Sequence, residues 1–179
     1  EFARDKPSNV YLCLHHAVID AEERERILSQ AAEAGILGRL ILSPEMTGLD
    51  SSDAALNELY NACDLGLSTS MGEGWGLVSF EHAASGAAQV VPGHSACREL
   101  WTDAALLVDP IREYIPRFSP LEMGEVDPAS VASALQRLYE DESLRARTAA
   151  ACRQRATRPE HDWERISGQW QSLFERLLQ

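Results

Sequence analysis

The chain has 179 residues, of which 45% are hydrophobic and 25% are charged, and its formal net charge is −12. This length and composition are typical of a globular domain with a substantial core, and so acidic a chain lacks the basic patches that nucleic-acid phosphates require. The sequence contains no run that reads as a transmembrane helix or a secretory signal, so we expect a cytoplasmic domain without a nucleic-acid partner.

Short apolar runs alternate with helix-period segments through the first 110 residues. The predicted strands are Tyr11–His15, Leu40–Ser43, Leu65–Thr69, Ala88–Val91 and Ala105–Val108. The predicted helices are Asp20–Ala34, a helix capped by Asp53, Leu77–Ser85 ended by Gly86, and a helix starting at Ser95–Leu100. Strands that are apolar on both faces and alternate with helices indicate a parallel sheet covered on both sides. We therefore predict an α/β fold with a Rossmann-like, doubly wound sheet core over residues 3–110.

The rest of the chain is predicted to be a loop followed by helices. Residues 111–126 are interrupted by two prolines and a glycine, so we expect an irregular loop there. Residues 127–179 are predicted to be helical, because Asp127 before Pro128 is a strong helix start and a last helix begins near Asp162. We expect the apolar stripe of that last helix to pack in the core or at a domain interface: Trp163, Ile166, Trp170, Phe174 and Leu177.

The cysteines do not suggest a metal centre. The chain has 4 cysteines, none of them in a C-x-x-C pair and none at the spacing of a zinc site. We expect reduced, mostly buried thiols and no metal.

A glycine-rich segment follows the third predicted strand. Glycines occupy positions 72, 74 and 76, between Ser70 and the helix that starts at Leu77. Glycine lets the backbone approach a ligand closely, and a helix N-terminus presents free N–H groups that favour anions. Such a loop at the carboxyl end of a strand is typical of a phosphate or diphosphate site, although a tight turn alone also requires glycine.

Two carboxylates lie in this segment: Glu73 among the glycines and Glu81 within the predicted helix. We expect Glu81 to share the inward face of the helix with Leu77 and Ala84, where a carboxylate needs a donor. Either two vicinal ribose hydroxyls or a backbone N–H from a neighbouring loop would satisfy it. A glycoside-hydrolase pair is disfavoured, because the separation would span ~12 Å of helix whereas such pairs lie ~5–5.5 Å or ~6.5–9.5 Å apart.

The segment SMGEGWGLVSFEHAASG resembles the E-x7-E signature of retaining GT-B glycosyltransferases, glycosyltransferase family 4 in particular. The matching positions are Ser70, Glu73, Gly74, Gly76, Leu77, Glu81, Ala84 and Gly86. Trp75 and His82 replace the usual phenylalanine and alanine. Weaker likenesses extend over residues 56–70, 88–100, 105–110 and 161–166. On this resemblance, residues 1–179 are similar to the C-terminal, donor-binding half of a GT-B fold.

The resemblance implies a role for each matching residue. Glu81 would hold the ribose of a nucleotide, and Glu73, as the catalytic residue, would contact hydroxyls of the donor sugar. The other implied donor-binding residues are Ser70, Gly74, Trp75, Gly76, Leu77 and His94. The implied enzyme is a hexosyltransferase of polysaccharide biosynthesis. It would move a sugar with retention from a GDP- or UDP-sugar to a glycan or lipid-linked acceptor, without a metal or other cofactor.

The same resemblance implies that part of such an enzyme lies outside this chain. A GT-B enzyme has a second, N-terminal Rossmann-like domain, and its C-terminal domain begins with a central strand followed by a basic loop that neutralises the diphosphate. We find no counterpart before Tyr11, so we expect an unpaired sheet edge beside residues 11–15. The chain alone should therefore have little or no transferase activity. Peripheral membrane association of the full-length protein would be compatible with a lipid-linked acceptor.

Other functions fit the sequence less fully. A binding module that kept the nucleotide pocket but lost the chemistry would show the same residues and remains open. An NAD-binding domain is disfavoured, because the G-x-G-x-x-G fingerprint is incomplete and follows the third visible strand rather than the first. A response-regulator-like interaction domain would explain the sheet but not Glu81.

Overall fold

A computed structural model describes residues 1–15, 20–42, 52–117 and 121–178 of the chain. The strands in these ranges are β1 (Leu12–Leu14), β2 (Leu40–Leu42), β3 (Leu65–Leu67), β4 (Ala88–Pro92), β5 (Leu106–Val108), β6 (Pro110–Tyr114) and β7 (Met123–Val126). The helices are α1 (Ala21–Glu33), α2 (Asp53–Ala62), α3 (Leu77–Ser85), α4 (Ser95–Trp101), α5 (Pro128–Glu140), α6 (Glu142–Ala156) and α7 (Trp163–Leu177). The alternation of strands and helices up to β5 confirms the predicted α/β fold.

The central sheet consists of β3, β4 and β5, in that order and all parallel. Every residue of β4 is buried, because this strand has a neighbour on each side and a layer of helices on each face. Successive residues of a strand point to opposite faces, and the two valines of β4 show this. Val91 belongs to a core cluster with Trp101 and Cys152, whereas Val90 packs with Val131 of α5.

The strands β1 and β2 form a separate parallel pair. Within the ranges that the structure describes, β1 is hydrogen-bonded to β2 alone and β3 to β4 alone, so each of β1 and β3 has one free edge. The free edge of β1 lies where the sequence predicts an unpaired edge. The missing strand that the resemblance implies there stays a prediction. The predicted strand end at Ser43 lies outside the described residues.

The region predicted as an irregular loop contains a β-hairpin, so that prediction was wrong. The strands β6 and β7 pair antiparallel, with Arg112 opposite Glu125 and Tyr114 opposite Met123. Both strands are short, and the prolines between them in the sequence obscure their alternation. Pro110 is tolerated because it starts its strand beside a register irregularity, where no regular ladder bond is lost.

The helix starts are mostly as predicted. Asp127 caps α5, where its carboxylate accepts a hydrogen bond from the Ser130 N–H at 2.8 Å, and Pro128 is the first helical residue. The cap of α2 is Ser52 rather than the predicted Asp53, since the Ser52 hydroxyl accepts a bond from the Ala55 N–H at 3.2 Å. Serine and aspartate are nearly equivalent as caps, so adjacent candidates are hard to separate from sequence.

The apolar stripe of α7 is largely exposed in this chain. Trp163, Trp170 and Leu177 are 79%, 55% and 72% exposed, so the stripe does not form the core. The interface alternative stays a prediction. Among the described helices, none is both long and apolar enough to cross a membrane. Two of the four cysteines, Cys97 and Cys152, are buried, and the other two are half-buried.

Candidate functional site

The glycine-rich segment joins β3 to α3 and lies at the carboxyl end of the central parallel sheet. Gly76 is the N-cap of α3 and has a left-handed conformation, with φ 83° and ψ 55°. A side chain there would be strained, and its Cβ would lie 3.2 Å from the Ser79 hydroxyl oxygen. A Cβ on Gly74, by contrast, would meet no atom within 4 Å. The fold itself therefore requires glycine at position 76, whereas Gly74 leaves open space above the loop.

The N-terminus of α3 has no side-chain cap among the described residues. The Ser79 hydroxyl does not cap it either, because it donates to the Gly76 carbonyl at 2.9 Å. The first N–H groups of an α-helix have no partner within the helix and need an acceptor from outside. These uncapped groups follow directly after the glycines, and this is the arrangement in which helix N-termini bind anions.

Glu73 is half-buried, and the start of α4 holds its backbone on both sides. Its N–H donates to the Ser95 hydroxyl at 3.2 Å, and its carbonyl accepts from the Ala96 N–H at 3.4 Å. Ser95 has a φ of 47°, which is uncommon for a residue other than glycine. The buried Cys97 lies close by. Burial first, and the Glu73 charge second, raise the pKa of Cys97 to about 11, so its thiol stays protonated.

His94 is buried under β7 and is 6% exposed. Its ring packs against Gly124, where an added Cβ would overlap the ring atoms. Its Nδ1 lies 3.2 Å from the Ser95 hydroxyl, while its buried Nε2 has no hydrogen-bond partner among the described residues. The Gly124 N–H also donates to the Met71 carbonyl at 2.8 Å, which ties β7 to the glycine-rich loop.

The contact of His94 with the sugar donor stays a prediction. In the structure His94 is buried, and the Ser95 hydroxyl connects its ring to the Glu73 N–H. Sequence reasoning missed the part that β7 plays in holding this loop. The signal is a lone glycine at position 124, which marks a close backbone approach here, although in the sequence it indicates a loop breaker.

Glu81 is exposed, so the prediction that it lies on the inward face of its helix was wrong. The buried residues of α3 are Ser79, His82 and Ala83. Two of these are polar, and each has a hydrogen-bond partner: Ser79 the Gly76 carbonyl of its own helix start, and His82 the Cys63 carbonyl at the end of α2, at 3.2 Å. The inward face of α3 is partly polar, so the apolar residues of this helix do not mark its buried side.

The partner of Glu81 is a side chain of α2. The Tyr60 hydroxyl donates to one carboxylate oxygen of Glu81 at 2.9 Å. Burial, and then the hydrogen bond and charge of Glu81, raise the pKa of Tyr60, so the phenol stays protonated. The Tyr60 ring stacks on His82, with ring centroids 5.4 Å apart and planes 18° from parallel. Burial lowers the pKa of His82 below its usual value, which favours the neutral ring.

The remaining predicted residues shape or border the loop. The Ser70 hydroxyl donates to the Gly72 carbonyl at 2.9 Å and so closes the first turn of the loop. The Trp75 ring packs edge-on against Phe80 and His161, with centroids 5.4 Å away in each case.

Apolar side chains around the loop are exposed. Leu77 is 59% exposed and Val78 is 68% exposed, next to the partly exposed Met71 and Trp75. The loop therefore lies on an open apolar surface, bordered by the uncapped start of α3. The described residues contain no group of three or more His, Cys, Asp or Glu side chains that could hold a metal ion.

The comparisons with known proteins bear on the family and the fold of the chain. The family model described as glycosyl transferase-like matches residues 24–172. A comparison with curated proteins gave no match.

Solved structures resemble the chain in fold. Sucrose-phosphate synthase from Thermosynechococcus elongatus has a TM-score of 0.70 at 21% identity, over 94% of this chain and 38% of that one. HepE from Anabaena, solved in complex with UDP, has a TM-score of 0.73 at 19% identity, over 98% of this chain and 43% of that one.

A third structure is a domain rather than a whole protein. It is the C-terminal domain of the glycosyl transferase group 1 family protein LpcC from Francisella tularensis, with a TM-score of 0.58 at 21% identity. The match covers 77% of this chain and 62% of that domain. The chain thus spans about two fifths of the two larger neighbours and has the fold of a GT-B C-terminal domain. Since the family model covers most of its length, the chain belongs to the glycosyl transferase-like family.

Proposed function

We propose that this chain is the donor-binding domain of a retaining hexosyltransferase that uses a nucleoside diphosphate sugar. The observation that carries the proposal is the arrangement of residues 73–81. A backbone-anchored Glu73, an uncapped helix start and an exposed, hydrogen-bonded Glu81 follow one another along the chain. The UDP in the HepE structure supports a uridine nucleotide as one candidate, and GDP is the other.

Glu81 is proposed to bind the ribose. Its carboxylate is exposed, and Tyr60 occupies one of its oxygens, which leaves acceptor positions free for the two vicinal hydroxyls. A carboxylate accepts hydrogen bonds only, and ribose hydroxyls are donors of suitable spacing.

The diphosphate is proposed to lie at the start of α3. The uncapped N–H groups there and the helix dipole favour an anion, and the open space above Gly74 admits one. A helix N-terminus supplies only about half a positive charge, and residues 52–97 contain no lysine or arginine. Full neutralisation of the diphosphate is therefore proposed to need basic residues from outside this segment.

Glu73 is proposed to contact hydroxyls of the donor sugar, as the catalytic residue. Because both its N–H and its carbonyl are hydrogen-bonded to the start of α4, the backbone that carries the carboxylate is fixed before a ligand binds. Groups positioned in advance stabilise a transition state without reorganisation. Trp75, Gly76 and Leu77 would add backbone contacts.

Transfer to a glycan or lipid-linked acceptor is proposed to require an N-terminal domain as well, and to proceed without a metal. The acceptor would bind largely to that second domain. On this proposal the 179-residue chain binds nucleotide but turns over little or no donor.

A non-catalytic nucleotide-binding module is the second candidate, since the same pocket serves binding alone. The test uses a protein that carries both domains, with donor turnover and nucleotide affinity measured for the wild type and for Glu73→Ala. A transferase should lose most of its turnover in Glu73→Ala while its nucleotide affinity changes little. Nucleotide binding without turnover of any UDP- or GDP-sugar in the wild type would favour the binding module instead.

A further inference from the structure

Tyr60 links the last turns of α2 to Glu81 on α3 through the 2.9 Å bond between its hydroxyl and one carboxylate oxygen. We propose that Tyr60 is a positioning residue for ligand binding: its phenol holds one oxygen of Glu81, so that the carboxylate is fixed for the vicinal hydroxyls of a ribose. This inference rests on the proposed ribose role of Glu81 and adds a residue that lies outside the glycine-rich segment.

The Tyr60 ring has a second contact, on the His82 side of α3. The ring stacks on His82, which is itself 5% exposed. The His82 ring is fixed in turn, because its Nε2 lies 3.2 Å from the Cys63 carbonyl, which can only accept. The proton of the neutral ring is therefore on Nε2. Tyr60 is thus held by the two helices that it joins and offers Glu81 a rigid donor.

Glu81 by itself would not be rigid. Its side chain is exposed, and Tyr60 provides its hydrogen bond among the described residues. A free glutamate samples many rotamers, and a ligand that selects one of them loses affinity through the entropy of ordering the side chain. A preformed hydrogen bond removes part of that loss before the ligand arrives.

The phenol also suits this task chemically. Since burial and Glu81 raise its pKa, Tyr60 keeps its proton and remains a donor across the neutral range. One donor uses only part of the acceptor capacity of a carboxylate, so the bond to Tyr60 leaves room for two ligand hydroxyls. Phenylalanine at this position would keep the stacked ring and lose only the donor.

The test is calorimetric titration of the 179-residue chain. UDP and GDP are both titrated into the wild type, and the tighter nucleotide is then compared with its 2′,3′-dideoxy form in each variant. We expect Tyr60→Phe to weaken the ribonucleotide about fivefold, which is the scale of one lost hydrogen bond, and to leave the dideoxy form unchanged. Tyr139→Phe is the matched control, because Tyr139 contacts Phe2 and Lys6 outside the site, and it should change neither affinity.

A structural role would give another pattern. The positioning role is wrong if Tyr60→Phe weakens binding of the ribonucleotide and of its dideoxy form equally. It is also wrong if the full effect of Tyr60→Phe on affinity persists in a Glu81→Ala background. The proposed function fails separately if Glu81→Ala binds the ribonucleotide as well as the wild type does, or if the wild type binds neither UDP nor GDP. A loss in Glu81→Ala without a loss in Tyr60→Phe would overturn the role of Tyr60 alone.

Discussion

The conformation of Gly76 gives a quantitative prediction about the start of α3. With φ at 83°, an alanine there would occupy the left-handed region, which costs roughly 1–2 kcal/mol for a residue with a Cβ. The new Cβ would also lie 3.2 Å from the Ser79 hydroxyl oxygen. Replacing glycine restricts the unfolded chain, which offsets about 0.4–1 kcal/mol. Gly76→Ala should therefore lower the free energy of unfolding by about 1 kcal/mol, and the Tm by ~2–4 °C for a domain of this size.

Gly74→Ala is the matched control, since its Cβ would meet no atom within 4 Å and its φ is not positive. This variant should have the stability of the wild type or slightly more, because the alanine restricts the unfolded chain without straining the folded one. Urea unfolding followed by far-UV circular dichroism measures both variants, with an unchanged m-value as the check that only stability has moved. Equal stability of Gly76→Ala and the wild type, or an equal loss in the two variants, would refute the argument from backbone conformation.

Two further predictions concern the elements that hold the loop. Gly124→Ala should destabilise the chain by about 1–3 kcal/mol, because its Cβ would overlap the buried His94 ring, whereas Gly72→Ala should change little, since its Cβ would lie 3.7 Å from the nearest atom. Similar urea midpoints for these two variants would contradict the packing of β7 on His94. Burial lowers the pKa of His82 in the folded state below its value of about 6.5 in the unfolded chain. The neutral ring therefore contributes its full stability above about pH 6.5, and this contribution is lost as the pH falls towards the folded pKa. His82→Gln should therefore flatten the decline of stability between pH 7.5 and pH 5.5, and an unchanged pH slope in urea unfolding would count against it.

The pattern of strands and helices could be predicted from the sequence because it depends on short-range periodicity. The runs that form β3, β4 and β5 are apolar on both faces, which is typical of a covered parallel sheet. The cap at Asp127 and the stop at Gly86 follow from backbone chemistry that acts within a few residues.

The errors arose where tertiary contacts outweigh local pattern. The apolar neighbours of Glu81 predict an inward position for it, yet α3 buries Ser79 and His82. Ser79 bonds to the start of its own helix, and His82 bonds to Cys63 at the end of α2. The sequence does not reveal the β6–β7 hairpin, because both strands are short and prolines stand between them in the sequence, so neither strand is recognisable alone. The bonds that hold Glu73 join residues 22 positions apart, and no local pattern reveals them.

The proposed binding of a nucleotide ribose by Glu81 can be measured by calorimetry on the 179-residue chain. UDP and GDP are titrated into the wild type and into Glu81→Ala, with Glu58→Ala, an exposed glutamate on α2, as the control. The wild type should bind at least one of the two nucleotides, and Glu81→Ala should bind it at least roughly tenfold more weakly, the scale of one hydrogen bond to a charged group. Glu58→Ala should bind as the wild type does. Equal affinity of the wild type and Glu81→Ala would contradict the claim.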